Sequence, residues 1–220
     1  MFKKLMRKIM SMTSNRDSFD PSSLNDPLAM QTGWTPAKRG GTNFKTHKLV
    51  VIDSNRLEFR ASIAIKIFCL IFLSVGAVIL IGFFYALQFN REFSLDIGSI
   101  SISSVGLLFT VVGGILLYSF TAPIVFDKRT GFFWKGRKSS DDIIDQASLK
   151  YFTELDQIHA LQLISEYCRG NKSSYYSYEL NLVLEDGRRI NVVDHGNKKR
   201  LREDAGTLSD FLEKPVWDAI

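Results

Sequence analysis

Chemistry needs particular side chains at particular spacings, and this chain offers few candidates. Its three histidines are His47, His159 and His195. None has a Cys, His or carboxylate at metal-ligand spacing, so no metal site is expected. Asp194-His195 invites an acid–base reading. It falls, however, in Asp194-His195-Gly196-Asn197, a strand-to-helix turn in which Asp and Gly have ordinary backbone uses. Cys168 lies near Glu166 and Arg169 and reads as a structural thiol, while Cys69 sits inside a long apolar run. Two cysteines so placed do not form a disulfide framework and fit a reducing compartment. There is no phosphate-binding glycine loop, no nucleophile elbow and no carboxylate pair with a defined partner. The expectation is a non-enzymatic protein without a cofactor.

The remaining candidates are cations. Lys3, Lys4, Arg7 and Lys8 form one face of residues 1–13, with Phe2, Leu5, Met6, Ile9 and Met10 on the other. That pattern predicts a basic amphipathic helix lying on anionic lipid. Lys38 and Arg39 precede Gly40-Gly41, a flexible pair beside which a phosphate could sit. Lys128, Arg129, Lys135, Arg137 and Lys138 form a third basic group. Residues 1–60 hold eleven Lys/Arg and five Asp/Glu, a net +6, whereas residues 121–220 hold fifteen and sixteen, a net −1. The cationic excess of the chain therefore lies in its N-terminal part, beside the apolar runs. Membrane lipid accounts for it without nucleic acid.

Two elements must position these groups, and both are apolar. Residues 67–89 and 97–126 contain no charge. Each run exceeds the ~20 residues that cross ~30 Å of hydrocarbon. A signal peptide would place its apolar core within the first ~30 residues, and none is there. The expectation is an α-helical membrane hairpin: one helix over 63–89, an external turn over 90–96 and a second helix over 97–122. Lys/Arg flank both outer ends while the turn holds only Arg91 among Glu92 and Asp96, so both termini are placed in the cytoplasm. This makes a cell inner (plasma) membrane protein. Gly98, Gly106, Thr110 and Gly114 fall at i, i+4 spacing in the second span, and Gly82 and Ala86 in the first. Small residues let helices approach closely in lipid, so these faces are expected to pack within the hairpin, with a homodimer face as the alternative. Neither span carries an ionisable residue at its middle, which speaks against transport.

The polar remainder reads as an irregular loop over 14–46 followed by strands. Residues 47–60 form a hairpin around Asp53-Ser54-Asn55, and a second hairpin closes on Lys128-Arg129-Thr130-Gly131. Residues 139–146 make a polar, acidic connector. Residues 158–164 are apolar on both faces, as a central strand is. For the third hairpin, a three-residue loop Glu185-Asp186-Gly187 pairs Leu182 with Ile190 and Leu180 with Val192, which matches apolar faces, and puts Gly187 at the left-handed position. Leu201, Ala205, Leu208, Phe211 and Leu212 form the apolar stripe of a helix over 198–213, ended by Pro215.

This gives an α+β domain of about seven antiparallel strands and one C-terminal helix, with the spans inserted after the second strand. The order of elements, and pieces such as Phe126-Asp127-Lys128-Arg129-Thr130-Gly131-Phe132, resemble bacterial pleckstrin-homology-like domains. The whole chain resembles small bacterial inner-membrane proteins with paired spans and a cytoplasmic β domain. The resemblance implies a binding or scaffolding module, and carries headgroup binding onto Lys128, Arg129, Lys135, Arg137 and Lys138. The expected partners are membrane lipid and a protein. The alternative function is immunity against a membrane-active toxin.

Overall fold

Two β-sheets share one core in the computed structural model, which describes residues 19–90, 94–137, 151–169 and 173–220. The first sheet has five antiparallel strands in sequential order: β1 (His47–Asp53), β2 (Arg56–Ala61), β3 (Ile124–Asp127), β4 (Phe132–Lys135) and β5 (Phe152–Glu154). The second has the order β8-β7-β6-β9, from β6 (Ile158–Arg169), β7 (Ser174–Leu184), β8 (Arg189–His195) and β9 (Val216–Ala219). Leu57, Phe59, Phe126 and Phe133 from the first sheet meet Leu161, Leu163, Leu180 and Leu182 from the second. A C-terminal helix, Lys198–Leu212, adds Leu201, Ala205, Leu208 and Leu212 to the same core. With the short helix α1 (Pro27–Gln31) and the two long helices α2 and α3 described below, this helix is α4.

Strand count and one register differ from the sequence reading. There are nine strands among the described residues. β9 lies beyond Pro215 and pairs parallel to β6, with Leu161 opposite Val216 and Ile164 opposite Ala219. Its four residues are too few to carry a readable alternation. The β7–β8 loop is Glu185-Asp186-Gly187, with Gly187 at φ +79° and Leu182 opposite Ile190. A bulge then shifts the ladder, so Leu180 faces Val193 instead of Val192. Both valines enter the core as a result.

Residues 20–46 are not a free loop. A 3₁₀ turn (Pro21–Leu24) and α1 are each capped by an aspartate, Asp20 and Asp26, and lead into a strap over the outer face of the second sheet. Ala29 and Trp34 pack there with Ala160, Val183 and Trp217. Trp34 Nε1 donates to Ala29 O at 2.8 Å, so its ring folds onto the domain.

α2 (Ile63–Phe89) and α3 (Ile97–Phe120) are long and apolar enough to cross a membrane, with 27 and 24 residues. At ~1.5 Å per residue either exceeds ~30 Å of hydrocarbon. Only 11% of the most apolar window of each is buried, unlike the core helix of a soluble domain. Ser62 caps α2 and Asp96 caps α3 through a reciprocal box with Ser99. Serines within α3 donate to carbonyls of the preceding turn, as Ser101 does to Ile97 O and Ser104 to Ile100 O. Their hydroxyls are thereby satisfied inside the helix.

Candidate functional site

The basic residues singled out by sequence do not form one site. β2 ends at Ala61, two residues before α2 starts, and β3 starts four residues after α3 ends, so the helices leave one end of the first sheet. Lys128 and Arg129 lie in the β3–β4 turn at the opposite end, and each is paired. Lys128 Nζ is 3.8 Å from Glu213 and lies over the Phe211 ring, while Arg129 reaches Asp53 at 2.8 Å. Arg137 lies at the helix end. It donates to Tyr118 O and Thr121 Oγ1 and stacks on the Tyr118 ring, supplying positive charge to the C-terminal end of α3. Lys135 turns inward, and its ammonium sits 4.9 Å from the Tyr151 ring centroid. Lys3, Lys4, Arg7, Lys8 and Lys138 lie outside the described residues, as do the surface helix of residues 1–13 and the acidic connector.

Under the strap, the outer face of the second sheet gathers charge that no spacing in the sequence announced. Glu179 is fully buried and accepts from Ala37 N at 2.8 Å, Lys38 N at 2.9 Å and Asn181 Nδ2 at 3.1 Å. Glu166 accepts from Gly40 N and Gly41 N, and the Tyr175 hydroxyl donates to Gly41 O. Lys38 and Arg39 thus sit on a segment whose backbone N–H groups already hold two carboxylates of the chain itself. Gly41 is required for this approach, because a Cβ there would lie 2.2 Å from Ser177 Oγ. Arg189 donates to Thr35 O at 2.7 Å and Gln162 to Gly33 O at 3.1 Å. An open cleft of about 300 Å³ lies beside Arg39, lined by Thr35, Pro36, Ser165, Glu166 and Tyr167.

Burial governs the protonation of this region. It pushes the Glu179 and Asp194 carboxyls up, against the hydrogen bonds that favour their charged forms. It also brings the Lys135 ammonium down to about 8, with repulsion from Lys38 adding and Asp194 and Glu179 opposing. Burial lowers His47 to about 4, helped by Lys135 and Lys38. Asp194 and His195 take separate partners on successive strand positions: Asp194 accepts from Asn191, and His195 Nδ1 accepts from Asn197 N at 2.8 Å. That bond requires a neutral ring carrying its proton on Nε2, and burial lowers His195 to about 4. The Cys168 thiol is pushed up, by burial first and then by Glu166, which disfavours a thiolate.

His159 behaves oppositely. Its Nε2 is 2.7 Å from Asp26 and its Nδ1 3.1 Å from Glu185. Burial alone would lower it, but the two carboxylates together raise it. Spacing could not have found this pair, since Asp26 lies 133 residues away.

Between α2 and α3 the close approach runs through Gly76, Gly106, Thr110 and Gly113. A Cβ at Gly76 would meet Thr110 N at 2.5 Å, one at Gly106 would meet Ile79 Cγ2 at 2.7 Å, and one at Gly113 would meet Leu73 N at 2.6 Å. Gly106 and Thr110 are therefore at the contact, as the small-residue stripe suggested. Gly82 and Gly114 face open space and are not. Ala86 is half-buried. At ~100° per residue, seven positions return to within ~20° of the same face and eight overshoot by ~80°. The seam thus continues from Gly106 to Gly113, not to Gly114.

No family model, curated protein or solved structure matches the chain. Among the described residues no group of three or more His, Cys, Asp or Glu could hold a metal ion.

Proposed function

We propose that the chain is an integral inner-membrane protein whose α2–α3 hairpin spans the bilayer and whose β domain, cytoplasmic with both termini, is a non-enzymatic binding module. One observation carries the reading. The helix pair is inside out: its close contact is made by Gly76, Gly106, Thr110 and Gly113, while Phe68, Ile71, Val78, Ile81, Leu107 and Ile115 point outward. Val78 is 69% exposed and Ile81 68%. Water does not tolerate an apolar surface of this extent on a soluble monomer, and lipid does.

The direct joints between strands and helices support the second half of the reading. Only Ser62 separates β2 from α2, so the domain is held at the membrane surface. The positive flanks of the hairpin favour the cytoplasmic side. Two sheets on one core with a C-terminal helix favour a pleckstrin-homology-like module, although nine strands and a hairpin inserted after β2 extend that plan. Its partner is a protein or the anionic membrane surface.

Carbonate washing of membranes from expressing cells tests the anchor: the chain stays in the pellet and needs detergent for release. A folded monomer in detergent-free buffer overturns it. Crosslinking in membranes tests the module. Recovery of no stable partner, with no difference between anionic and neutral bilayers, counts against binding.

A further inference from the structure

β6 and β7 outrun their sheet. β9 covers β6 only from Leu161 to Ile164, and β8 covers β7 only from Tyr178 onward. Beyond those limits Glu166 to Arg169 pair with Ser174 to Ser177 alone, as a two-stranded arm. Its direction follows from the ladder. Tyr178 faces His195, His195 bridges to Lys45, and Lys45 O accepts from the Ser62 hydroxyl that caps α2. The chain leaving Lys45 runs antiparallel to β8 and becomes β1, which travels away from the helices. β8 and the arm therefore run toward them. Four residue pairs carry the arm ~13 Å past the level of His195 at ~3.3 Å per residue.

One face of the arm, with Glu166 and Tyr175, is occupied by the strap. The other continues the core face out of the core, and it is aromatic. Tyr167 is 42% exposed and Tyr176 56%, their rings 5.2 Å apart, with Arg169 next on the same face. Beside it, three residues after His195, α4 begins with Lys198, Lys199 and Arg200, all exposed. Lys199 and Arg200 share a single acid, Glu203, and the first turn of α4 contains none. Three cations there oppose the helix dipole.

We propose that this face, Tyr167 and Tyr176 with Arg169, Lys198, Lys199 and Arg200, rests on the anionic headgroup layer of the bilayer that α2 and α3 cross. The inference rests on the membrane-spanning reading. The occupant is set by continuity and by charge. The arm runs toward the layer in which the helix ends lie. Its tyrosines are rings of the kind that settle at headgroup level, and its cations complement acidic phospholipid. Docking at this second point holds the domain in one orientation on the membrane.

The test uses the full chain with Cys69→Ala and Cys168→Ser, in nanodiscs of phosphatidylcholine and phosphatidylglycerol at 3:1. A solvent-sensitive dye is attached at Tyr176→Cys, Ser54→Cys or Val78→Cys. Nitroxides on headgroups should quench the dye at 176 at least twofold more than at 54, on the distal β1–β2 turn. Replacing Arg169, Lys198, Lys199 and Arg200 by Gln should remove most of that difference. Acyl-chain nitroxides should quench the dye at 78. Loss of quenching at 78 overturns the bilayer-spanning reading itself. Quenching at 78 with none above the distal control at 176 overturns only the docking face, which then belongs to a soluble partner. Quenching at 176 that survives the four substitutions overturns the assignment to acidic lipid.

Discussion

Single residues here owe their properties to partners far away in the chain. His159 ties the strap to the second sheet through Asp26 and Glu185. Its folded-state pKa is raised above ~6.5, so the stability it contributes is complete below that pH and is lost as pH rises through the folded value. His159→Gln should therefore destabilise the full chain in detergent by about 1 kcal/mol more at pH 6 than at pH 8.5, after allowance for partial exposure of the pair. Thermal melts at the two pH values measure it, and equal deficits would remove the charge from the explanation. Glu179 carries a different lesson. A buried acid with three donors is legible only once residues 37 and 38 are seen to cross β7. In the sequence it is one polar position in an alternating strand.

Elements were legible in proportion to their length and periodicity. Both long helices stand out because a run without charge is a property of composition. β9 and β5 do not, since three or four residues adopt a strand only where a neighbour offers an open edge. Trp217 on β9 is 2% exposed and packs near Trp34 and His159. Trp217→Ala should cost about 3–5 kcal/mol, the range for large aromatic truncations in a core, with loss of strap protection in hydrogen exchange. An unchanged melt would show that β9 and the strap are peripheral. Helix packing gives a sharper contrast. Gly113→Ala drives a methyl against the α2 backbone and should destabilise the hairpin by about 1–3 kcal/mol. Gly114→Ala next to it should lie within about 0.5 kcal/mol of wild type. Unfolding in micelles compares the two, and a reversed order would refute the seam.

At the scale of the whole molecule, the short joints between sheet and helices, one residue (62) on one side and three (121–123) on the other, are the dominant fact. They couple the orientation of the β domain to that of the hairpin, so topology and docking are one question. If both termini are cytoplasmic, as proposed, Asp96→Cys in intact cells should react with an impermeant maleimide and Ser54→Cys should react only after lysis, in a background lacking Cys69 and Cys168. The opposite labelling would invert the proposed sidedness and place the tyrosine arm on the other leaflet.

The residues in order determine what depends on local composition: two apolar helices, the hairpin turns at Ser54-Asn55 and Gly187, and the amphipathic stripe of α4. Hydrophobic period and turn chemistry act over a few residues, so they can be read along the chain. Tertiary structure alone decided which charges meet. It split Lys128 and Arg129 from Arg137, laid residues 20–46 over β6 and β7, and selected Gly113 over Gly114. Those outcomes depend on contacts between segments from 19 to more than a hundred residues apart or on a rotation of ~100° per residue, and neither is visible in a linear spacing.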